Sequence, residues 1–199
     1  MDGRVRKYQI TEKETVWEGK YLRCLEISYR DPEGMLRKWE SVERVHCDGT
    51  VVIVPVTDDG EIVLIRQFRP AVNSYVIEFP AGLNDRGEKL EDAARRELRE
   101  ETGFRPGELL FLAQGPLSSG SSGEILTVYF AKGLKRIGIQ GRDETEDIEV
   151  LEIPFGRVYE DLFRLAENGN LIDLKIFGLI ELARRRDISE RGSEVRGNY

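Results

Sequence analysis

Apolar and polar residues alternate along 8–45 (YQITEKETVW, YLRCLEISYR, MLRKWESVERV), with Asp31-Pro32-Glu33-Gly34 between the last two runs. A period of two marks strands, and the turn signal between them predicts an antiparallel meander. Next, TVVIVPVT and EIVLIRQF flank Asp58-Asp59-Gly60, which predicts a hairpin of two central strands. The short strand YVIEF leads into Pro80-Ala81-Gly82 and a polar loop. At 89–102 the period changes. Leu90, Ala93, Ala94 and Leu98 fall on one side of a charged helix that Gly103 is placed to stop. Further strands are predicted at 109–114, 126–131 and 148–153, separated by the polar loops SSGSSGE and GRDETED, and two amphipathic helices at 156–167 and 173–186 close the pattern. This order, with mostly hairpin connections, predicts an α+β fold: an α/β/α sandwich over 47–186, preceded by a small N-terminal antiparallel β appendage over 1–46. The polar tail at 187–199 is expected to fray.

Composition narrows the chemistry. The chain has 199 residues, 40% apolar and 34% charged, enough to bury a core within one domain and its appendage. Its longest apolar run, at 50–57, is far short of the ~20 residues a bilayer crossing needs, and MDGRVRKYQI has no apolar signal core, so neither a membrane span nor export is expected. Cys24 and Cys47 form no CxxC pair, which argues against a cysteine zinc site or a disulfide framework and for a reducing cytoplasm. His46 is the single histidine, so a His-rich metal cluster is excluded and a Ser-His-Asp triad would have to run through it. Carboxylates and arginines must carry any catalysis. The formal charge of −7 and the lack of a dense basic stretch offer no track for a nucleic-acid backbone.

The helix KLEDAARRELREET concentrates that chemistry. Glu91 with Arg95, Asp92 with Arg96, and Arg96 with Glu100 are ordinary partners four residues apart. Glu97 and Glu101 instead face each other at that spacing, with no basic partner expected within the helix, and Glu100 shares their arc of roughly 100°. They also occupy the last turns, where the helix dipole is already negative. Together these terms cost on the order of 1 kcal/mol without a cation, and a divalent ion reverses the sign of both. The residues alone leave two readings open, a solvated acidic face or a cation site.

The spacing around them is more specific. Gly82, five residues, Glu88, seven residues, Arg96-Glu97-Leu98, Arg99, Glu100-Glu101, Thr102, Gly103, Phe104 resembles the Nudix box GX5EX7REUXEEXGU at every fixed position, with Phe104 where an aliphatic residue is usual. The resemblance implies a Nudix α/β/α sandwich and hydrolysis of a nucleoside diphosphate linked to another group. It places the metal ligands on Glu97, Glu101 and the backbone carbonyl of Ala81. Oxygen ligands of this kind suit Mg²⁺, with Mn²⁺ as the alternative. Arg96 is expected to orient the glutamates and Glu88 to steady the junction of loop and helix.

Through GKYL, RKWESVERV, IRQFRP and VIEFPAGL the chain also resembles the ADP-ribose and ADP-sugar pyrophosphatase branch, over about 19–186. That resemblance implies cleavage of ADP-ribose to AMP and ribose 5-phosphate by a homodimer that exchanges its N-terminal meanders. Tyr21 and Trp39, one from each subunit, would sandwich the adenine. Glu40, Arg44 and Arg69 match positions that contact base, phosphate or ribose, and Leu83 and Ser118 match others near the substrate. In DETEDIEV, Glu146 is the first choice and Glu144 the second for a late metal ligand and catalytic base, and Glu124 is a further candidate near the site. One departure is Ser118-Ser119-Gly120, where the branch carries Ser-Pro-Gly or Asp-Pro-Gly. The loop is glycine-rich, a composition that permits mobility. It leaves GDP-mannose or another nucleotide sugar, and oxidised nucleoside diphosphates, as alternative substrates, with a non-catalytic nucleotide-binding module as a third reading.

Overall fold

The computed structural model describes residues 7–138 and 147–196, with side chains as far as residue 186. The N-terminal alternation folds as β1 (Gln9–Glu18), β2 (Leu22–Arg30) and β3 (Leu36–Arg44), an antiparallel sheet in that order. Asp31 builds its second turn: its carbonyl accepts from the Gly34 amide, its Oδ1 accepts from the amides of Glu33 and Met35, and Gly34 takes the positive φ of 87°. Among the described residues no helix or second sheet covers this sheet. Among its strand residues only Leu25 is buried, and β1 is exposed along its whole length.

Two central strands follow, β4 (Thr50–Pro55) and β5 (Glu61–Arg69), but they do not form the predicted hairpin. The turn between them closes, with the Gly60 amide donating to Thr57 O at 3.0 Å and the Thr57 amide to Glu61 O at 2.8 Å. After a single bridge, Val56 to Ile62, the strands part into different sheets. Burial is the reason. Both strands are apolar on both faces, so each is stabilised most with a strand on either side and cover above and below. β4 therefore runs parallel to β10 (Ile125–Lys132) and antiparallel to β7 (Ala81–Leu83), while β5 lies between β6 (Ser74–Glu78) and β12 (Ile148–Pro154).

The remaining elements complete two four-stranded sheets, β7-β4-β10-β9 and β12-β5-β6-β13, with β9 at Glu108–Pro116 and β13 at Leu171–Ile172. A two-stranded ribbon pairs β8 (Phe104–Arg105) with β11 (Lys135–Arg136). On one side, helix α1 (Leu90–Thr102) packs Ala93, Ala94 and Leu98 against Val51, Ile53 and Val63. On the other, Val52, Val54, Ile62 and Leu64 meet Val158 and Leu162 of α2 (Val158–Glu167) and Ile176, Ile180 and Ala183 of α3 (Lys175–Arg196). The architecture is the expected α/β/α sandwich, and α3 runs past the predicted end at residue 186. Among the described residues no helix is long and apolar enough to cross a membrane.

Leu98 is fully buried where α1 meets the sheet. Leu98→Ala should lower stability by about 2–5 kcal/mol, read as an earlier midpoint in thermal or urea unfolding.

Candidate active site

The short strand β7, unpredicted from the polar sequence after Pro80, sets the site's geometry. It lies antiparallel on buried β4, with Ala81 opposite Val52, Gly82 opposite Val51 and Leu83 opposite Thr50. α1 then returns its acidic face to that strand. A Cβ added at Gly82 would fall 1.9 Å from Glu97 Cδ, so the glutamate side chain occupies the space that glycine leaves. Glu101, only 5% exposed, accepts a 3.0 Å hydrogen bond from the Ala81 amide through Oε2. The loop between β7 and α1 is pinned by Asn84, whose Nδ2 donates to Glu88 O at 2.7 Å and whose amide donates to Gly49 O at 2.9 Å.

Arg96 links these parts. Its Nη1 lies 2.7 Å from Glu97 Oε1 and 3.2 Å from Glu100 Oε2, its Nε donates to Glu88 Oε1 at 2.9 Å, and its Nη2 donates to Leu83 O at 3.0 Å. The expectation that Glu97 lacks a basic partner within the helix is therefore wrong. Arg96 is its immediate neighbour in the chain, and its long side chain bends along the helix to reach the carboxylate. Burial lowers the Arg96 guanidinium's affinity for its proton, but the bonds to Glu88, Glu97 and Glu100 outweigh it and hold the pKa above its ordinary value. The helix ends as read: Gly103 adopts φ 74° and donates its amide to Arg99 O at 2.9 Å.

These residues form one wall of a cleft of about 750 Å³. Of the predicted site residues, Ala81, Leu83, Glu97, Glu101, Arg44 and Arg69 line it together. Arg44 Nε lies 2.8 Å from Glu124 Oε1, which places Glu124 at the cleft's edge. Arg69 is bound by both carboxylate oxygens of Glu78. Tyr21, Trp39, Glu40 and Ser118 are exposed and lie outside the cleft's lining. Trp39 Nε1 donates to Gly120 O at 3.2 Å, the Val42 amide donates to Ser121 O at 2.8 Å, and Ser118 Oγ is 2.9 Å from Ser121 Oγ, so the glycine-rich loop is tied to β3. The Val45 amide donates to Tyr21 O at 3.0 Å, so Tyr21 sits beside the end of β3. That is about 20 Å from Trp39 along the strand, at roughly 3.3 Å per residue. Glu144 and Glu146 lie outside the described residues. Sequence reasoning missed Glu78 and Gln67, which also line the cleft. Strand alternation was the available signal, since Gln67 stands two residues before Arg69 on the same face of β5.

The donor set suits a hard cation, being carboxylate and backbone oxygens with neither sulfur nor imidazole in the lining. Among the described residues no group of three acidic or His/Cys side chains forms a ready cage, because the carboxylates are engaged by Arg96 and the Ala81 amide. The residues thus fit an ion that shares its coordination with a phosphate ligand.

The NUDIX domain model matches residues 48–168. An ADP-ribose pyrophosphatase of Bacillus subtilis (strain 168) is 33% identical over 164 residues, 82% of this chain and 85% of that one. A GDP-mannose pyrophosphatase of Escherichia coli O9:H4 (strain HS) is 33% identical over 160 residues, 74% of this chain and 82% of its own. A crystal structure of ADP compounds hydrolase superposes with a TM-score of 0.75 at 26% identity, covering 92% of this chain and 96% of that one. The chain belongs to the Nudix family and is a Nudix hydrolase, a class that generally uses divalent metal cations.

The contact at Gly82 gives a direct test. Gly82→Ala should leave the far-ultraviolet circular dichroism spectrum unchanged while displacing Glu97, with turnover falling by roughly 10²-fold, the cost typical of misplacing a reacting group by about 1 Å.

Proposed function

We propose that this chain is a Mg²⁺-dependent pyrophosphatase that cleaves ADP-ribose with one water to AMP and ribose 5-phosphate, with Mn²⁺ able to substitute. The observation that carries it is a cleft in which Glu97 and Glu101, over Ala81 and Gly82, share the lining with cations that include Arg44 and Arg69. A bound divalent ion would neutralise the diphosphate and lower the pKa of the attacking water. Glu97, Glu101 and the Ala81 carbonyl are the proposed holders of that ion. Arg96 keeps Glu97 and Glu100 turned toward β7, and Glu88 anchors Arg96 from the loop. Arg44 and Arg69 bind phosphate or ribose oxygens, held in place by Glu124 and Glu78. Glu146, with Glu144 as second choice, is assigned as the base that takes the water's proton, with Glu146 also a late metal ligand.

The functional unit is proposed to be a cytoplasmic homodimer built through the N-terminal sheet of residues 1–46. The supporting observation is the distance between Tyr21 and Trp39 within one chain, which prevents their sandwiching one adenine without a second copy. A second reading, hydrolysis of GDP-mannose or another nucleotide sugar, is favoured by Ser118-Ser119-Gly120 without proline and by the likeness to the Escherichia coli enzyme named above.

Chromatography of products from a panel of ADP-ribose, GDP-mannose and oxidised nucleoside diphosphates should give AMP and ribose 5-phosphate with the highest kcat/KM for ADP-ribose. Activity should vanish in EDTA and in Glu97→Gln or Glu101→Gln, and undiminished turnover in EDTA would refute the mechanism. Trp39→Ala should raise KM for ADP-ribose roughly five- to 150-fold, matching ~1–3 kcal/mol of base stacking, with kcat little changed.

A further inference from the structure

Strand β5 carries Val63, Ile65, Gln67 and Arg69 on one face. Val63 and Ile65 are fully buried, and Arg69 reaches the cleft, so Gln67 stands where that face passes from core to site. It is 8% exposed, and its cross-strand neighbours, Val76 on β6 and Ile148 on β12, are buried and apolar. Among the described residues its Oε1 has no hydrogen-bond partner. A buried acceptor without a donor is destabilising, and leucine or methionine would fill nearly the same volume between Val76 and Ile148 without that cost. The packing gives no reason for an amide at this position. The cleft does.

The chemistry of the cleft points to what the amide meets. Diphosphate oxygens only accept hydrogen bonds, and Arg44 and Arg69 line the cleft with donors suited to them. Of the cleft's other side-chain acceptors, Glu78 is bound by Arg69, Glu97 and Glu100 by Arg96, Glu101 by the Ala81 amide and Asp173 by Lys175, while Asp85, more than half exposed, is paired with Arg86 at 3.9 Å. On a nucleotide sugar the remaining donors within reach of a phosphate cleft are ribose hydroxyls. A neutral amide accepts from such a hydroxyl without repelling the diphosphate beside it, which a carboxylate would do. We infer that Gln67 is a specificity-determining residue whose Oε1 accepts a hydrogen bond from a ribose hydroxyl of the substrate, so that the cleft selects ribosyl diphosphates over diphosphates lacking that hydroxyl. The inference rests on the diphosphate-sugar activity proposed above.

Gln67→Leu and Gln67→Met, assayed beside the wild-type full-length protein, test it with three substrates. These are ADP-ribose, the methyl ester of ADP, which lacks the distal ribose, and the 2′,3′-dideoxyadenosine analogue of ADP-ribose, which lacks the proximal hydroxyls. Both variants should lose at least roughly ten-fold in kcat/KM on ADP-ribose. That loss should disappear on one truncated substrate, which identifies the ribose involved. Their Tm should match or exceed the wild type's, because an unpartnered acceptor has been removed from the interior. An equal loss on all three substrates, no loss on ADP-ribose, or a lowered Tm in both variants overturns the inference while leaving the proposed reaction intact. A wild-type protein that turns over none of the three removes both.

Discussion

The site depends on one guanidinium. Arg96 is asked to hold three carboxylates, Glu88, Glu97 and Glu100, and the Leu83 carbonyl as well, and it is itself largely buried. A lysine would not serve, because an ammonium has three donors on a point charge, whereas the planar fork of arginine presents five in fixed directions. The arrangement remains deficient in positive charge: Arg96 serves three carboxylates, Arg99 adds only a 3.8 Å approach to Glu100, and Glu101 lies close by at the foot of the same helix face. Each of these groups has been drawn from water, and leaving a buried charge uncompensated costs several kcal/mol. Arg96 thus makes the acidic face foldable without neutralising it, and the residual negative potential is what a divalent cation finds attractive.

The geometry of that potential is set by the core. Glu97 and Glu101 meet the backbone at Gly82 and Ala81, and β7 has its position only because it pairs with β4. β4 in turn is buried on both faces, its Val51 and Ile53 against α1 and its Val52 and Val54 against α2 and α3. The same packing that seats α1 therefore fixes the distance from its glutamates to β7. Carboxylates carried by a helix against a strand are held more closely than any loop would hold them, which is the condition for placing a reacting phosphate.

Elements whose signal is local were readable from the sequence. The meander, the acidic helix and its stop at Gly103 follow from periodicity and from a residue tolerant of positive φ. The hairpin at Asp58-Asp59-Gly60 shows the boundary of that kind of reading: the turn chemistry is correct, yet strand pairing is a contest among all strands, and burial on both faces gave β4 and β5 other partners. The site divides in the same way. The box residues stand out by spacing, but the need for glycine at 82 becomes physical only when Glu97 is seen across it. The Arg96–Glu97 bond was missed because adjacent helix positions do not face each other, a rule that a long, bent side chain escapes. Gln67 shares a strand face with Arg69, which was the one sequence signal for it, whereas Glu78 becomes a candidate only once the location of the cleft is seen.

The N-terminal sheet raises a separate problem of physics. A three-stranded sheet with no second layer leaves apolar side chains in water, and here Ile10, Val16 and Trp17 on β1 and Met35, Leu36 and Trp39 around β3 are all exposed. An exposed face of that kind marks an interaction surface more often than an idle one. The cleft has a complementary deficit, since one chain supplies its acidic and basic walls while Tyr21 and Trp39, the rings proposed to hold the base, lie far apart outside the lining. A second copy of the chain, laid across this sheet, would cover the first face and bring a ring to the second site in the same event. Two unrelated shortfalls that one association would resolve are the physical ground for the proposed homodimer.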